Sequence, residues 1–409
     1  MAIDTHKYNQ NTPENNKDIG LCFSGGGMRA IAFQLGCLKA LKNYRLLERV
    51  KVISAVSGGS ILAAMYAYNA DSFEEFEKKV YKLLRQGLAV RLFRRLLLYP
   101  PRAIATLATV LIAGTSAILA DIIRITSTFL LRHSRKDTSY NHTPDFIFKI
   151  RPPFRRWSSR TTALEDVLRA NLFANTTLSS TPPNDTEVVL NSCDLHTGTV
   201  FRFGSKKSGC DKFGNIINNI QVAQAVAASA AHPVFFPAID TAYDFQDAEG
   251  VIRKQNVLLS DGGILDNLGI SCLRPGGRAD EKYNTYAVDY IICCTAVQGE
   301  KKSMPYWLIP RIIRTSEAIN RKLLDFEQEN LERSLALRLI KGFILARFSN
   351  GAPCPEKIKN YPTNFCGLKK ADIDLIVRCG KEVTERNLQK YLPDLVNKSL
   401  IYSSNSRNL

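Results

Sequence analysis

Twice within its first seventy residues the chain runs from a short apolar stretch into glycines and out again into a helical pattern. Residues 19–24 end in Gly25, Gly26 and Gly27, and helical periodicity follows over 28–43; residues 50–55 break at Ser57, Gly58 and Gly59 ahead of an Ala- and Leu-rich stretch over 61–70. A buried strand that turns sharply into a helix is the repeating unit of a layered fold, because the helix must return over the sheet before the next strand can join it in parallel. The expected architecture is a layered α/β fold with a mainly parallel central sheet.

After a charged helix over 73–88, capped by Asp71 and Ser72, this rhythm stops. It resumes with a strand pair, 187–194 and 199–204, joined across His196, Thr197 and Gly198. Next come an Ala-rich helix over 221–231, a short strand over 257–260 leading into Asp261, and a buried strand over 289–297. Residues 316–348 read as one long amphipathic helix or a bent pair, and 372–395 close the domain. At 409 residues the chain exceeds one ordinary core, so a large domain with an insertion is expected. The division is a polar tail (1–18), a main α/β domain (19–72 and 185–400) and a basic, partly apolar helical insertion (73–184).

Three motifs carry chemistry. In Ile53-Ser54-Ala55-Val56-Ser57-Gly58-Gly59-Ser60 a serine sits where a strand ends abruptly, flanked by small residues. A nucleophile elbow needs this arrangement, so that the hydroxyl projects above the sheet toward the N-terminal amides of the next helix. Ala55 stands where the usual pattern has its first glycine, and a tight turn with Ser57 as helix cap suits the same residues. Ser24-Gly25-Gly26-Gly27-Met28-Arg29 offers consecutive unobstructed amides at a helix start, suited to an oxyanion, with Arg29 able to fork onto a phosphate. A nucleotide loop is the competing reading, but neither G-x-x-x-x-G-K-[ST] nor G-x-G-x-x-G is present. In Leu259-Ser260-Asp261-Gly262-Gly263, the acid between a strand and two glycines is a candidate base; alone it would pass for an ordinary turn.

In this order the three motifs resemble the patatin-like phospholipases, and Ala227-Ala228-Ser229-Ala230-Ala231-His232-Pro233-Val234-Phe235-Phe236-Pro237 is similar to the small-residue helix that precedes the family's aspartate. The likeness covers residues 20–69 and 223–269, nearer the cytosolic phospholipase and bacterial branch than the plant patatins. It implies a three-layer α/β/α fold, with Ser57 as nucleophile, Asp261 as its base, and Gly25, Gly26 and Gly27 as the oxyanion loop of a lipid acyl hydrolase of phospholipase A or lysophospholipase type. No cofactor and no metal are implied, and no Cys-x-x-Cys or His-x-x-x-His spacing occurs. Some bacterial relatives answer to a nucleotide signal, so control by a nucleotide or by homo-oligomerisation is an expectation of the resemblance. His232 is the one histidine of five beside a motif, and also a plain helix-end residue before Pro233.

The net charge of +17 is concentrated: residues 78–160 hold 17 Lys plus Arg against three acids. Arg91, Arg94 and Arg95 interleave with Leu92, Phe93, Leu96, Leu97 and Leu98, and Arg151, Arg155 and Arg156 flank Phe154 and Trp157, a mixture suited to anionic phospholipid headgroups above acyl chains. Residues 103–120 are uncharged but poor in hydrophobicity, which suits a cap or a shallow insertion better than a span. Nucleic-acid binding is not expected, since no RNA-recognition or zinc-finger pattern accompanies the charge. The tail, 1–18, resembles no secretory signal, and ten irregularly spaced cysteines suit reduced thiols, so a cytoplasmic enzyme on the inner membrane face is expected. The rival class is a membrane-binding or scaffold protein that kept the fold and lost turnover.

Overall fold

The computed structural model describes residues 17–97, 104, 159–180, 182–183, 185–233, 235–273, 283–296, 308–347, 354–355, 358, 361 and 363–397. Most of the basic insertion lies outside them, including the uncharged stretch 103–120 (apart from Ile104) and the aromatic and basic cluster at 151–157.

Residues 19–67 fold as their pattern requires. Strand β1 (Ile19–Phe23) runs into helix α1 (Gly27–Asn43), and β2 (Val50–Val56) into α2 (Gly58–Ala67). Helices α3 (Phe73–Gln86), α4 (Ala89–Leu97) and α5 (Arg160–Leu168) precede β3 (Glu187–Asp194) and β4 (Thr199–Gly204). Two short strands, β5 (Ser208–Cys210) and β6 (Gly214–Ile216), lead to α6 (Val222–Ser229), β7 (Ile239–Gln246) and β8 (Ile252–Asp261). Strand β9 (Tyr290–Thr295), helix α7 (Leu308–Ala336), strand β10 (Gly342–Arg347) and helix α8 (Lys370–Tyr391) complete the domain.

The ten strands of the described residues form one mixed sheet in the order β10-β9-β1-β2-β3-β4-β5-β6-β7-β8. The half from β10 to β3 is parallel and the half from β3 to β8 antiparallel. Side-chain alternation divides the sheet into two faces. Leu21, Phe23, Ile53, Leu190 and Ile292 enter the core beneath α1, α2, α3 and α8, while Cys22, Val52, Val189 and Cys293 pack on the other side with Leu324 and Leu331 of α7. This is the expected α/β/α layering.

Three expectations change. Residues 342–347, read as the tail of a long helix, form the edge strand β10, because the helix ends at Ala336. The insertion does not begin at 73 as a separate unit: Phe76, Val80, Leu83 and Leu84 of α3, with Leu164 and Leu168 of α5, belong to the main core. Nor are all cysteines reduced, since Cys354 and Cys379 form a disulfide, with Cα atoms 5.4 Å apart, that ties residue 354 to α8. Among the described residues no helix is long and apolar enough to cross a membrane.

Candidate active site

Strand β3 explains why two residues two hundred positions apart meet. Along one edge it pairs with β2 in parallel as far as Val56 opposite Asn191, and then with β8 in antiparallel, Asp261 lying opposite Ser192. Its other edge is filled over the same residues by β4. Strands β2 and β8 therefore approach end-on along one edge, and their last residues face consecutive positions of β3. Asp261 occupies the place that β2 would take next, so the chain must leave the sheet at Ser57.

It does so through a strained turn. Ser57 has φ 54° and ψ −125°, a left-handed backbone that costs a non-glycine residue about 1–3 kcal/mol unless its surroundings enforce it. The enforcement is visible: the Ser57 amide donates to Ser229 Oγ at 3.1 Å, and that hydroxyl donates to the Asn191 carbonyl at 2.6 Å and contacts Ser60 Oγ at 2.7 Å. Asn191 Nδ2 reaches Ser54 Oγ at 2.8 Å and the Ala55 carbonyl at 3.2 Å, bracing the strand below. The helix-cap reading of Ser57 fails, because its hydroxyl accepts nothing from the first turn of α2.

The glycine loop lies directly against this turn. A Cβ on Gly25 would stand 3.1 Å from Ser57 Cβ and 3.6 Å from its hydroxyl; one on Gly58 would strike the Gly27 amide at 2.7 Å, and one on Gly59 the Phe23 carbonyl at 2.5 Å. Glycine at 58 and 59 is thus a requirement of backbone approach between α2 and the loop. Ser24 Oγ donates to Thr295 Oγ1 at 2.7 Å, and Gln34 Nε2 to the Ser24 carbonyl at 2.7 Å, anchoring the start of the loop. The amides of Gly25, Gly26 and Gly27 find no acceptor among the described residues.

Asp261 is 3% exposed. Its Oδ1 accepts from the Gly263 amide at 2.8 Å, while Oδ2 is buried with no hydrogen-bond partner. Burial raises its pKa above the usual aspartate value, opposed in turn by the positive influence of His232, the Gly263 amide and the Ser57 hydroxyl. The hydroxyl is thus near enough to favour the ionised carboxylate, although no well-formed hydrogen bond joins the two. Asn267 bridges the halves of the site: its Oδ1 lies 4.0 Å from a Cβ placed on Gly25 and 3.1 Å from one on Gly263. Beyond the Asp-Gly-Gly turn, a cleft of about 410 Å³ is lined by Ile264, Arg311, Ile312, Thr315, Ser316, Ile319 and Asn320.

Ser57, Asp261 and the three glycines are brought together; Arg29 is not. Its guanidinium is 2% exposed and is spent inside the fold, with Nη1 donating to the Tyr361 carbonyl and Nη2 to the Ala296 carbonyl, both at 2.6 Å. Burial lowers its pKa to about 10. The expected phosphate contact is therefore corrected: Arg29 clamps two backbone segments to α1. Asn191, Ser229 and Asn267 went unassigned in the sequence. Their signal was a polar residue within an otherwise apolar strand or an Ala-rich helix, and, for Asn267, closeness to Asp-Gly-Gly.

The patatin-like phospholipase family model matches residues 21–273. The fold is similar to that of human GIVD cytosolic phospholipase A2, which is 11% identical and matched over 96% of this chain and 62% of that one with a TM-score of 0.52. Matches to VipD from Legionella pneumophila (17% identity, 92% and 67% coverage, TM-score 0.36) and to the type III effector ExoU of Pseudomonas aeruginosa (15%, 92% and 53%, 0.34) are weaker in superposition. The chain thus spans about three fifths of the human enzyme's length. A search of curated protein sequences gave no match. With the family model covering the glycine loop, Ser57 and Asp261 in one continuous stretch, the chain belongs to the patatin-like phospholipase family.

Proposed function

We propose that the protein is a lipid acyl hydrolase of phospholipase A or lysophospholipase type, working through a Ser57 and Asp261 dyad at the surface of an anionic membrane. The observation that carries this reading is the convergence of a strained serine turn and a buried carboxylate oxygen without a hydrogen-bond partner at adjacent positions along β3. Asp261 accepts the Ser57 proton as Oγ attacks an acyl ester carbonyl, and the amides of Gly25, Gly26 and Gly27 receive the oxyanion. The intermediate collapses with loss of the alcohol, which takes the proton back from Asp261. Water, deprotonated by the same carboxylate, then attacks the acyl-enzyme, and as the ester bond to Ser57 breaks Asp261 returns that proton to Oγ and the fatty acid is released.

The cleft beside the Asp-Gly-Gly turn gives the acyl chain an apolar bed of Ile264, Ile312 and Ile319, with Arg311 at the rim for an anionic headgroup. Helix α4 is the docking element. Leu92 packs on the core while Val90 and Phe93 are 57% and 59% exposed among Arg91, Arg94 and Arg95. Each arginine near an anionic leaflet adds ~1 kcal/mol, and burying the two apolar side chains about 1.5–3 kcal/mol each. On this reading the enzyme is cytoplasmic and binds the inner membrane face peripherally.

The test is a phospholipid panel analysed by mass. Wild type releases fatty acid, and folded Ser57→Ala and Asp261→Asn proteins do not. Wild-type protein that binds phosphatidylglycerol vesicles but releases no fatty acid and never labels with a fluorophosphonate would be a membrane scaffold instead.

A further inference from the structure

A short stretch of chain ahead of α8 touches both the glycine loop and the docking helix. The Asn364 carbonyl accepts from the Met28 amide at 2.9 Å, and the Tyr361 carbonyl from Arg29, so the first turn of α1 leans on this stretch twice. A methyl on Gly27 would strike the same Asn364 carbonyl. One residue later the Phe365 carbonyl accepts from the amides of Leu88 and Ala89, at 2.9 and 3.0 Å, where α4 begins. Cys366 bridges to Gly87, and the Leu368 amide donates to the Leu84 carbonyl at 2.8 Å. The Phe365 ring meets Phe236 edge-on at 5.8 Å. Behind it, Tyr361 Oη reaches Asp372 Oδ2 at 3.3 Å and the Cys354–Cys379 disulfide pins the approach to α8.

Successive peptide carbonyls thus serve opposite clients, the oxyanion loop on one side and the first turn of α4 on the other. The joint is braced locally, since Asn364 Oδ1 accepts from the Cys366 amide at 3.0 Å. Backbone dihedrals within one braced turn do not move independently, so a shift of α4 that drags the Phe365 carbonyl also displaces the Asn364 carbonyl. We infer that residues 364–367 form a positioning strap that makes the order of the glycine loop depend on the seating of α4. Seated on lipid, α4 holds the strap down and the loop amides stay aimed; with α4 loose, the loop loses the carbonyl beneath Met28. This inference rests on the docking role proposed for α4 and adds a regulation of the same site.

The test needs a readout independent of turnover. Hydrogen–deuterium exchange over residues 24–30 of the full chain is measured with and without phosphatidylglycerol-containing vesicles, alongside fluorophosphonate labelling of Ser57. Four proteins are compared: wild type, Asn364→Ala (brace removed), Asn364→Asp (acceptor kept) and Gly367→Ala, whose methyl would press on the Arg85 carbonyl and lift the strap. Asn364 is exposed, so its variants fold. Vesicles slow loop exchange by about fivefold or more in wild type and Asn364→Asp, and by less than about twofold in Asn364→Ala and Gly367→Ala, while all four sediment with vesicles. The strap is overturned if wild type shows no slowing or does not sediment, or if Asn364→Ala and Gly367→Ala keep the full effect. Slowing without any labelling of Ser57 upholds the strap and removes the hydrolase reading; labelling with no slowing does the reverse.

Discussion

Replacing Ser229 by alanine deletes one oxygen about which the elbow is organised. That hydroxyl is fully buried, receives the Ser57 amide at 3.1 Å, contacts Ser60 Oγ at 2.7 Å and donates to the Asn191 carbonyl at 2.6 Å. A buried group left unsatisfied costs about 1–3 kcal/mol, and an ordinary lost hydrogen bond about 1 kcal/mol. The Ser60 hydroxyl can rotate to another acceptor, whereas the Ser57 amide cannot reorient without releasing the turn. The expected loss is therefore about 2–4 kcal/mol by denaturant unfolding. Reactivity falls too, because the left-handed Ser57 backbone stores about 1–3 kcal/mol that its anchor no longer opposes. At 1.36 kcal/mol per factor of ten, fluorophosphonate labelling should slow by roughly 10- to 100-fold. Ser60→Ala, which leaves the anchor in place, should cost about 1 kcal/mol and label nearly normally. Ser229→Ala protein that labels within about threefold of wild type and loses less than about 1 kcal/mol would refute the anchoring role.

Other outcomes follow from groups already described. On the proposed mechanism Asp261 acts as base only when ionised, and burial raises its pKa, so kcat/KM should fall on the acid side above the range of a solvated aspartate; His232→Gln, which removes an influence favouring ionisation, should move that limb to still higher pH. Glu327 of α7 is buried beside Asp266, accepts from the Leu268 amide at 3.1 Å, and has its pKa raised first by burial and then by Asp266. The folded protein therefore keeps a proton that the unfolded chain releases above about pH 4.5, and stability should fall by about 1.4 kcal/mol per pH unit until the raised pKa is passed. Glu327→Gln should flatten that slope in unfolding titrations; an unchanged slope assigns the pH dependence elsewhere. Arg29→Lys should lower the melting temperature while leaving the phospholipid-to-neutral-ester ratio of KM values unchanged, and a selective rise in phospholipid KM would restore the phosphate role.

The features readable without coordinates were those where backbone geometry demands a residue type. Glycines at 25–27, 58 and 59, a serine at the break of an apolar run, and an aspartate ahead of two glycines each answer a local steric need, and all of them meet in the structure. The antiparallel half was harder to read. Strands β5 and β6 have three residues each, too few for periodicity, and in β7 the alternation is blurred because Thr241 takes a buried place and Ala242 a less buried one. Strand β10 was mistaken for helix because a short apolar run suits either, with Gly342 as the overlooked break. Arg29 misled for another reason: whether a guanidinium faces solvent or carbonyls depends on residues 361 and 296, which no local pattern relates to position 29.

The end-on junction of β2 and β8 along β3 also bears on how such a protein can change. Since Asn191 and Ser192 give the ends of β2 and β8 their neighbouring stations, the excursions leaving and rejoining that edge can lengthen, shrink or be exchanged without changing that register. Tolerance should thus be greatest in the long detour after α4 and least at one dipeptide in mid-strand. A single-residue deletion there would part the pair, whereas exchanging the segment between α4 and α5 would leave their register along β3 intact.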